Sequence, residues 1–129
     1  MRVLIDTQCW LWLCADLDRF SKRTRERLAD PNCERYLSSA AIWEIVIKHG
    51  IGKLPLPAAP RDFVPSRLQL TQTDVLPITA DHALRVADLP SHHRDPFDRM
   101  MVAQALVADL PLLTADRTLR RYGVELIAP

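Results

Sequence analysis

Glycine is rare in this chain, with three residues in 129. Gly50, Gly52 and Gly123 are too scattered to form a glycine-rich loop of the kind that cradles phosphates. Gly50 and Gly123 instead follow predicted helices, a position where glycine commonly ends a helix. A phosphate-loop nucleotide-binding domain is therefore not predicted.

Long apolar runs are missing too. No segment approaches the roughly 18 uncharged apolar residues that a membrane-spanning helix requires. The N-terminus passes from Arg2 directly into Val3-Leu4-Ile5-Asp6, without the pattern of a secretory leader. We expect a cytoplasmic protein with no membrane partner.

Cysteine and histidine are few and poorly spaced for metal binding. The cysteines, Cys9, Cys14 and Cys33, fit neither a disulfide framework nor a paired zinc site, so reduced and mostly buried thiols are predicted. The histidines form no spaced ligand set either, and each is predicted to have a surface or turn role. They are His49, His82, His92 and His93.

Charge of neither sign dominates, since the formal net charge is +1. Attraction to a polyanion would therefore have to come from local clusters. Two basic groups are present, and each is either a nucleic-acid contact or the solvated face of a helix. The first is Arg19, Lys22, Arg23, Arg25 and Arg27, and the second is Arg117, Arg120 and Arg121.

The hydrophobic residues, 48% of the chain, alternate between short strand-like runs and longer helical patterns without hairpin signals. This indicates one domain over residues 1–129, a three-layer α/β/α sandwich with a largely parallel five-stranded sheet. Predicted strands cover residues 3–5, 35–38, 75–79, 111–114 and 124–127. Predicted helices cover residues 8–15, 21–29, 39–49, 62–70, 81–89, 96–109 and 116–122, with Ser39 as the cap of the third.

Four carboxylates stand at the edges of these apolar segments: Asp6, Glu44, Asp98 and Asp116. In parallel sheets ligands bind beyond the carboxyl ends of the strands. Carboxylates gathered there repel one another unless a divalent cation holds them. If the four converge, they predict metal-dependent chemistry.

Each acid also has a simpler interpretation. Glu44, on an apolar helix predicted to be buried on most sides, can pair with Lys48 one turn further on. Asp95 and Asp98 can cap the start of a helix and interact with its dipole. Asp116 closes a Thr-Ala-Asp junction that also occurs at residues 79–81, so local sequence does not distinguish it from Asp81.

Four segments together resemble the PIN-domain nucleases, and more closely the VapC-type toxins of prokaryotic toxin–antitoxin pairs. The resemblance covers essentially the whole chain in the right order, and Asp-Pro-Phe-Asp-Arg is its most specific part. The segments are Leu4-Ile5-Asp6-Thr7, Ser38-Ser39-Ala40-Ala41-Ile42-Trp43-Glu44-Ile45, His93-Arg94-Asp95-Pro96-Phe97-Asp98-Arg99 and Leu113-Thr114-Ala115-Asp116.

The resemblance implies a sheet of strand order 3-2-1-4-5 and an acidic pocket in which Mg²⁺ or Mn²⁺ supports RNA cleavage. That order keeps Asp116 near Asp6 and places Asp81 two strands away on the other side. The family's four acidic positions map to Asp6, Glu44, Asp98 and Asp116, with Asp6 and Asp98 as expected direct ligands. Residues expected to support them as an outer shell are Asp95, Thr7, Thr114, Lys48 and Arg99.

One residue departs from the family pattern: Gln8 stands where close relatives often carry His. Since this residue is not one of the four acids, the departure concerns substrate contacts or hydrogen bonding rather than metal binding.

The resemblance also implies partners: an RNA substrate, a cognate antitoxin that covers the acidic pocket, a second copy in a homodimer, and DNA only through the antitoxin. The apolar run from Trp10 to Leu13 is predicted to face the core on one side and a partner on the other.

Two other functional classes compete with a nuclease. One is a catalytically silent PIN-fold binding module acting in an antitoxin and DNA regulatory complex, against which the retention of all four acids argues. The other is a phosphatase or phospho-acceptor domain built on Asp6. A haloacid-dehalogenase-like site would want a second Asp where this chain has Gln8.

Overall fold

A five-stranded, all-parallel sheet lies at the centre of the protein in a computed structural model that describes residues 1–129. The strand order is β3-β2-β1-β4-β5, as the resemblance implied. The chain moves outward from β1 to β3 and then returns to β4, so the direction reverses between β1 and β4, where α/β sheets form ligand crevices. The strands are β1 (Arg2–Ile5), β2 (Glu34–Ser38), β3 (Thr73–Leu76), β4 (Leu112–Leu113) and β5 (Leu126–Ile127).

Six α-helices and two 3₁₀ segments connect the strands, close to the predicted boundaries. The segment from Arg117 to Tyr122, predicted as an α-helix, is a 3₁₀ helix that ends at Gly123 with φ 77°. Six residues make fewer than two α-helical turns, and short helices often take this tighter form. The helices are α1 (Thr7–Ala15), α2 (Lys22–Ala29), α3 (Ser39–Gly50), α4 (Pro60–Leu70), α5 (Ala80–Ala87) and α6 (Pro96–Ala108), and the other 3₁₀ segment is Leu17–Arg19.

The two strands beside the reversal point carry the most deeply buried part of the core. Val3, Leu4 and Ile5 of β1 and Leu112 and Leu113 of β4 are fully buried. Strands covered on both sides read as continuous apolar runs, which is why these segments lack alternation. Residues that follow these strands are therefore held at the sheet edge by a rigid base.

The apolar run at the start of α1 faces mainly inward. Trp10 is fully buried, and Leu11, Trp12 and Leu13 are half-buried and packed against the core. The predicted core contact is therefore present, and the partner contact stays a prediction.

No helix in the structure combines the length and the apolar character needed to cross a membrane.

Helix caps differ from the predictions in two places. Ser38, rather than Ser39, caps α3, because β2 runs through Ser38 and its hydroxyl accepts a hydrogen bond from the Ala40 N–H at 3.0 Å. At the other end Gly50 is still helical, and the left-handed conformation falls on Gly52, with φ 75°.

Helix α3 is less buried than predicted. Trp43, Val46 and Ile47 are 62%, 46% and 37% exposed, whereas Glu44 and Ile45 face the core. At 3.6 residues per turn, positions 43, 46 and 47 share one face, and that face points outward. The single carboxylate of the helix thus lies on its buried side.

Candidate metal centre

The four predicted acids meet in one cleft beyond the carboxyl ends of β1 and β4. The cleft has a volume of about 250 Å³, and only one of its nine lining residues is hydrophobic. Asp81, the aspartate of the other Thr-Ala-Asp junction, does not line it, as the strand order implied. The lining residues are Asp6, Thr7, Gln8, Glu44, Lys48, Asp95, Asp98, Ala115 and Asp116.

Asp6 is positioned by the junction of β1 with α1. Its backbone N–H donates to the Leu113 carbonyl at 3.0 Å, and its carboxylate caps α1 by accepting from the Cys9 N–H at 2.8 Å. Burial raises the pKa of Asp6, hydrogen bonds from Thr114 and Cys9 oppose that rise, and the nearby Glu44 adds to it. A charged Asp6 therefore requires a positive partner.

Glu44 both lines the cleft and forms the predicted pair with Lys48. It is 5% exposed and accepts a hydrogen bond from the Thr7 hydroxyl at 2.5 Å. It also forms the ion pair with Lys48, and this hydrogen bond raises the pKa of Lys48, helped by the charges of Asp95 and Asp98. The pair with Lys48 fixes the Glu44 carboxylate without removing it from the cleft.

Asp95 and Asp98, at the start of α6, have different positions and contacts. The Asp95 carboxylate caps the helix by accepting from two backbone N–H groups of the first turn, at 2.8 and 3.1 Å. Asp98 lines the cleft, where burial raises its pKa to about 7; Asp95, Glu44 and Asp6 contribute to the rise and His93 opposes it. The ionised form of Asp98 is therefore disfavoured in the metal-free cleft.

Asp116 stands on the outer side of the cleft, with its side chain 36% exposed. Its Oδ1 accepts from the Thr118 hydroxyl at 2.6 Å and from the Thr118 N–H at 3.0 Å. The Thr118 hydroxyl is the main reason that the pKa of Asp116 is lowered. The backbone N–H of Asp116 donates to the Thr114 hydroxyl oxygen at 3.1 Å. Asp116 is thus an ionised and accessible carboxylate.

His93 is a site residue that the sequence prediction did not find. A turn role was predicted, but its Nε2 lies 3.2 Å from Asp116 Oδ2 and 3.4 Å from Asp98 Oδ2. The contact with Asp116 spans 23 positions of the chain, so no local spacing rule reveals it. In the sequence, His93 opens the third segment of the family resemblance, two residues before Asp95, which caps α6.

Of the other histidines, His82 departs from its predicted surface or turn role, because it is 5% exposed within α5. His82 belongs to the capping box at the start of α5, and His49 Nδ1 lies 3.0 Å from the Leu54 carbonyl oxygen. His92 packs against Tyr122, with ring centroids 5.3 Å apart.

Arg99, expected in the outer shell, lies outside the cleft. Its guanidinium donates to the carbonyls of Pro90 at 3.0 Å and Val86 at 3.2 Å, and to the Tyr122 hydroxyl at 3.3 Å. Residue 99 follows Asp98 directly on α6, so the two side chains point about 100° apart around the helix. Arg99 therefore organises the segment that precedes α6 instead of balancing the carboxylates.

The donor chemistry of the cleft fits a divalent cation that prefers oxygen ligands. Five carboxylates share the cleft with one ammonium group, that of Lys48. Burial, with a smaller contribution from neighbouring carboxylates, raises the pKa of Asp6 and of Asp98, so a cation bound beside them would stabilise their ionised forms. Mg²⁺ and Mn²⁺ suit such a set of ligands.

The strand order and the acidic cleft at its carboxyl edge are those of a PIN-type α/β domain. Comparison with known families gives the same result, because the PIN domain family model matches residues 3–125. The chain belongs to the PIN domain family.

Individual relatives are more distant. A 60-residue segment is 38% identical to "Ribonuclease VapC16" of Mycobacterium tuberculosis (strain ATCC 25618 / H37Rv); it covers 46% of this chain and 41% of that protein. The match thus spans less than half of the length of this curated relative.

Two solved structures share the fold over nearly the full length. One is VapBC2 from Rickettsia felis bound to a DNA fragment from their promoter, at TM-score 0.73 and 13% identity, covering 99% of this chain and 98% of that chain. The other is DNA-bound VapBC from Salmonella typhimurium, at TM-score 0.73 and 18% identity, with the same coverage. At these identities the likeness concerns the fold.

Proposed function

We propose that the chain is a metal-dependent endoribonuclease that hydrolyses RNA phosphodiester bonds, and that it is the toxin of a toxin–antitoxin pair. The observation that carries the proposal is the convergence of Asp6, Glu44, Asp98 and Asp116 in one cleft of a PIN domain. A curated relative with the name ribonuclease supports the activity. Asp6 and Asp98 are the proposed direct ligands of Mg²⁺ or Mn²⁺, because both line the cleft and burial disfavours their ionised forms unless a cation stabilises them.

When bound, the cation would activate water and stabilise negative charge on the scissile phosphate. Glu44 and Asp116 then act in different ways beside the cation. Glu44, fixed by Thr7 and Lys48, keeps the inner wall of the cleft negative and rigid. Asp116, ionised and accessible, accepts a hydrogen bond from water that enters from the open side.

The RNA backbone would meet basic side chains near the cleft. Arg94 and Arg117 are exposed and adjoin the site residues Asp95 and Asp116 in the chain. Arg120 and Arg121 are exposed as well. Three members of the first basic group instead form ion pairs with acids: Arg19 with Asp16, Lys22 with Glu26 and Arg25 with Asp18. Charge close to the site supports a phosphate contact by the second group.

The function is tested by incubating the purified chain with single-stranded RNA. We expect cleavage in the presence of Mn²⁺ or Mg²⁺, its loss on addition of EDTA, and its return when the cation is restored in excess. RNA cleavage that continues unchanged in EDTA would contradict metal dependence. A folded chain that leaves all RNA intact with either cation would instead be the silent binding module.

An antitoxin is the proposed protein partner, since the two solved structures described above are of VapBC. An apolar groove of about 490 Å³ between α3 and α4 suits the apolar face of a partner helix. Homodimer formation, and contact with DNA only through the antitoxin, belong to the same proposal. The groove is lined in part by Ile42, Val46, Pro60, Val64 and Leu68.

The toxin assignment predicts that expression of the wild-type chain alone arrests bacterial growth, because its RNA cleavage is then unrestrained. Viable-cell counts after induction measure the effect. Asp6→Asn, expressed to the same level, is the matched control and should be harmless. Normal growth with an abundant chain that cleaves RNA after purification would contradict the toxin assignment.

A further inference from the structure

The imidazole of His93 occupies a bridging position between two carboxylates of the candidate metal centre. We propose that His93 is a positioning residue: its Nε2–H holds the Asp98 and Asp116 carboxylates in the orientation that a divalent cation requires. This inference rests on the proposed function, because it concerns how the same cleft prepares its ligands.

The hydrogen-bond partner of the other ring nitrogen decides which nitrogen carries the hydrogen. The backbone N–H of Asp95 donates to His93 Nδ1 at 3.1 Å, so Nδ1 presents its lone pair. In a neutral imidazole the hydrogen must then sit on Nε2. The cap residue of α6 thus sets His93 as a donor toward the cleft.

The hydrogen on Nε2 has two acceptors within reach. Asp116 Oδ2 lies 3.2 Å away and Asp98 Oδ2 lies 3.4 Å away. One donor between two carboxylates turns one oxygen of each toward a common point. Thr118 already holds Asp116 Oδ1, so the shared donor chiefly restrains Asp98 against its repulsion from Asp116. This restraint reduces the motion that ligand binding must overcome.

The backbone that carries His93 is held independently of the cleft. Arg99 donates to the Pro90 carbonyl at 3.0 Å and to the Leu89 carbonyl at 3.4 Å, and it lies 3.5 Å from the His93 carbonyl oxygen. The His93 side chain is only 24% exposed. The position of the His93 ring is therefore fixed in two ways, by Arg99, which holds the preceding backbone, and by the Asp95 N–H, which donates to Nδ1.

The same geometry argues against direct coordination by His93. To bind a cation, Nε2 must give up its hydrogen, and the neutral ring would then carry it on Nδ1. The Asp95 N–H already points at Nδ1, so that tautomer would set two hydrogens against each other. His93 consequently acts through the carboxylates, and such orienting donors typically change metal affinity by roughly 10- to 100-fold.

Two amide substitutions separate the functions of the two ring nitrogens. In His93→Gln the amide nitrogen can occupy the place of Nε2 and keep the donor. In His93→Asn the shorter amide can still accept from the Asp95 N–H but does not reach the carboxylates. We expect Mn²⁺ binding measured by calorimetry to weaken roughly 10- to 100-fold in His93→Asn and to stay near wild type in His93→Gln.

Thermal unfolding in EDTA shows whether both variants fold like the wild type. Equal Mn²⁺ affinity of wild type and a folded His93→Asn would overturn the inference. So would a ¹⁴N hyperfine coupling in the Mn²⁺ resonance spectrum of the wild type that both variants lose, because that signal means direct ligation. A wild-type chain that binds no Mn²⁺ would refute the metal-dependent function itself, and this outcome is distinct from the other two.

Discussion

Replacing Asp6 or Asp98 by asparagine is expected to lower metal-dependent RNA cleavage by roughly 100- to 1,000-fold. Each substitution keeps the size of the side chain and removes one negative charge from the cleft. Burial raises the pKa of both acids, so a bound cation would stabilise their ionised forms. Loss of either therefore removes a main reason for a cation to bind. Initial cleavage rates at saturating Mn²⁺ and at limiting Mn²⁺ measure the effect.

The repeated Thr-Ala-Asp junction supplies a matched control. Asp116→Asn and Asp81→Asn make the same change in the same local sequence, but only Asp116 lines the cleft. We expect Asp116→Asn to impair cleavage and Asp81→Asn to leave it near the wild-type rate. Equal losses in the two variants would show that the cleft is not the site of cleavage.

The contribution of Asp98 to the stability of the metal-free protein is expected to fall as the pH rises from about 4 to about 7. The pKa of Asp98 is raised from 3.8 to about 7 in the folded protein. Between these values the folded state retains a proton that the unfolded chain has released, so the contribution to stability is complete below pH 4 and lost above pH 7. At about 1.4 kcal/mol per pKa unit, the loss reaches up to about 4 kcal/mol.

Urea unfolding in EDTA at several pH values measures this effect. Asp98→Asn should flatten the dependence and make the metal-free protein more stable than the wild type at pH 8, and Mn²⁺ should stabilise the wild type most at that pH. Asp81→Asn should retain the wild-type profile. If the free energy of unfolding of Asp98→Asn changes with pH as steeply as that of the wild type, the pKa of Asp98 is not raised in the folded protein.

These two predictions meet at one residue. Asp98→Asn is expected to stabilise the metal-free fold while removing cleavage. Opposite effects on stability and activity are common where a site holds charges that the fold alone does not balance. If Asp98 only stabilised the start of α6, Asp98→Asn would instead destabilise the metal-free protein, since loss of a first-turn acid destabilises a helix.

Local features were predictable from the sequence because their causes are local. The buried strands β1 and β4 show as short apolar runs, and the start of α6 shows as Asp95, Pro96 and Asp98 in capping order. The strand order required the family resemblance, since periodicity does not state which strands are neighbours. The match of the PIN family model confirms that resemblance.

Other features depend on contacts between distant parts of the chain. The Thr7 and Glu44 side chains meet across 37 positions, and His93 reaches Asp116 across 23. The outward face of α3 and the turn of Arg99 away from the cleft likewise depend on what packs beside each helix.

The sequence by itself determined which segments are strands and helices and which acids are available at their ends, because backbone propensity, capping and hydrophobic period act over a few residues. The strand order decided that Asp116 and not Asp81 lies beside Asp6, which the family resemblance implied and local sequence did not. The tertiary structure alone decided that His93 bridges two of the acids. Those choices follow from strand order and from the packing of the turn before α6, which bring together side chains that no local pattern relates.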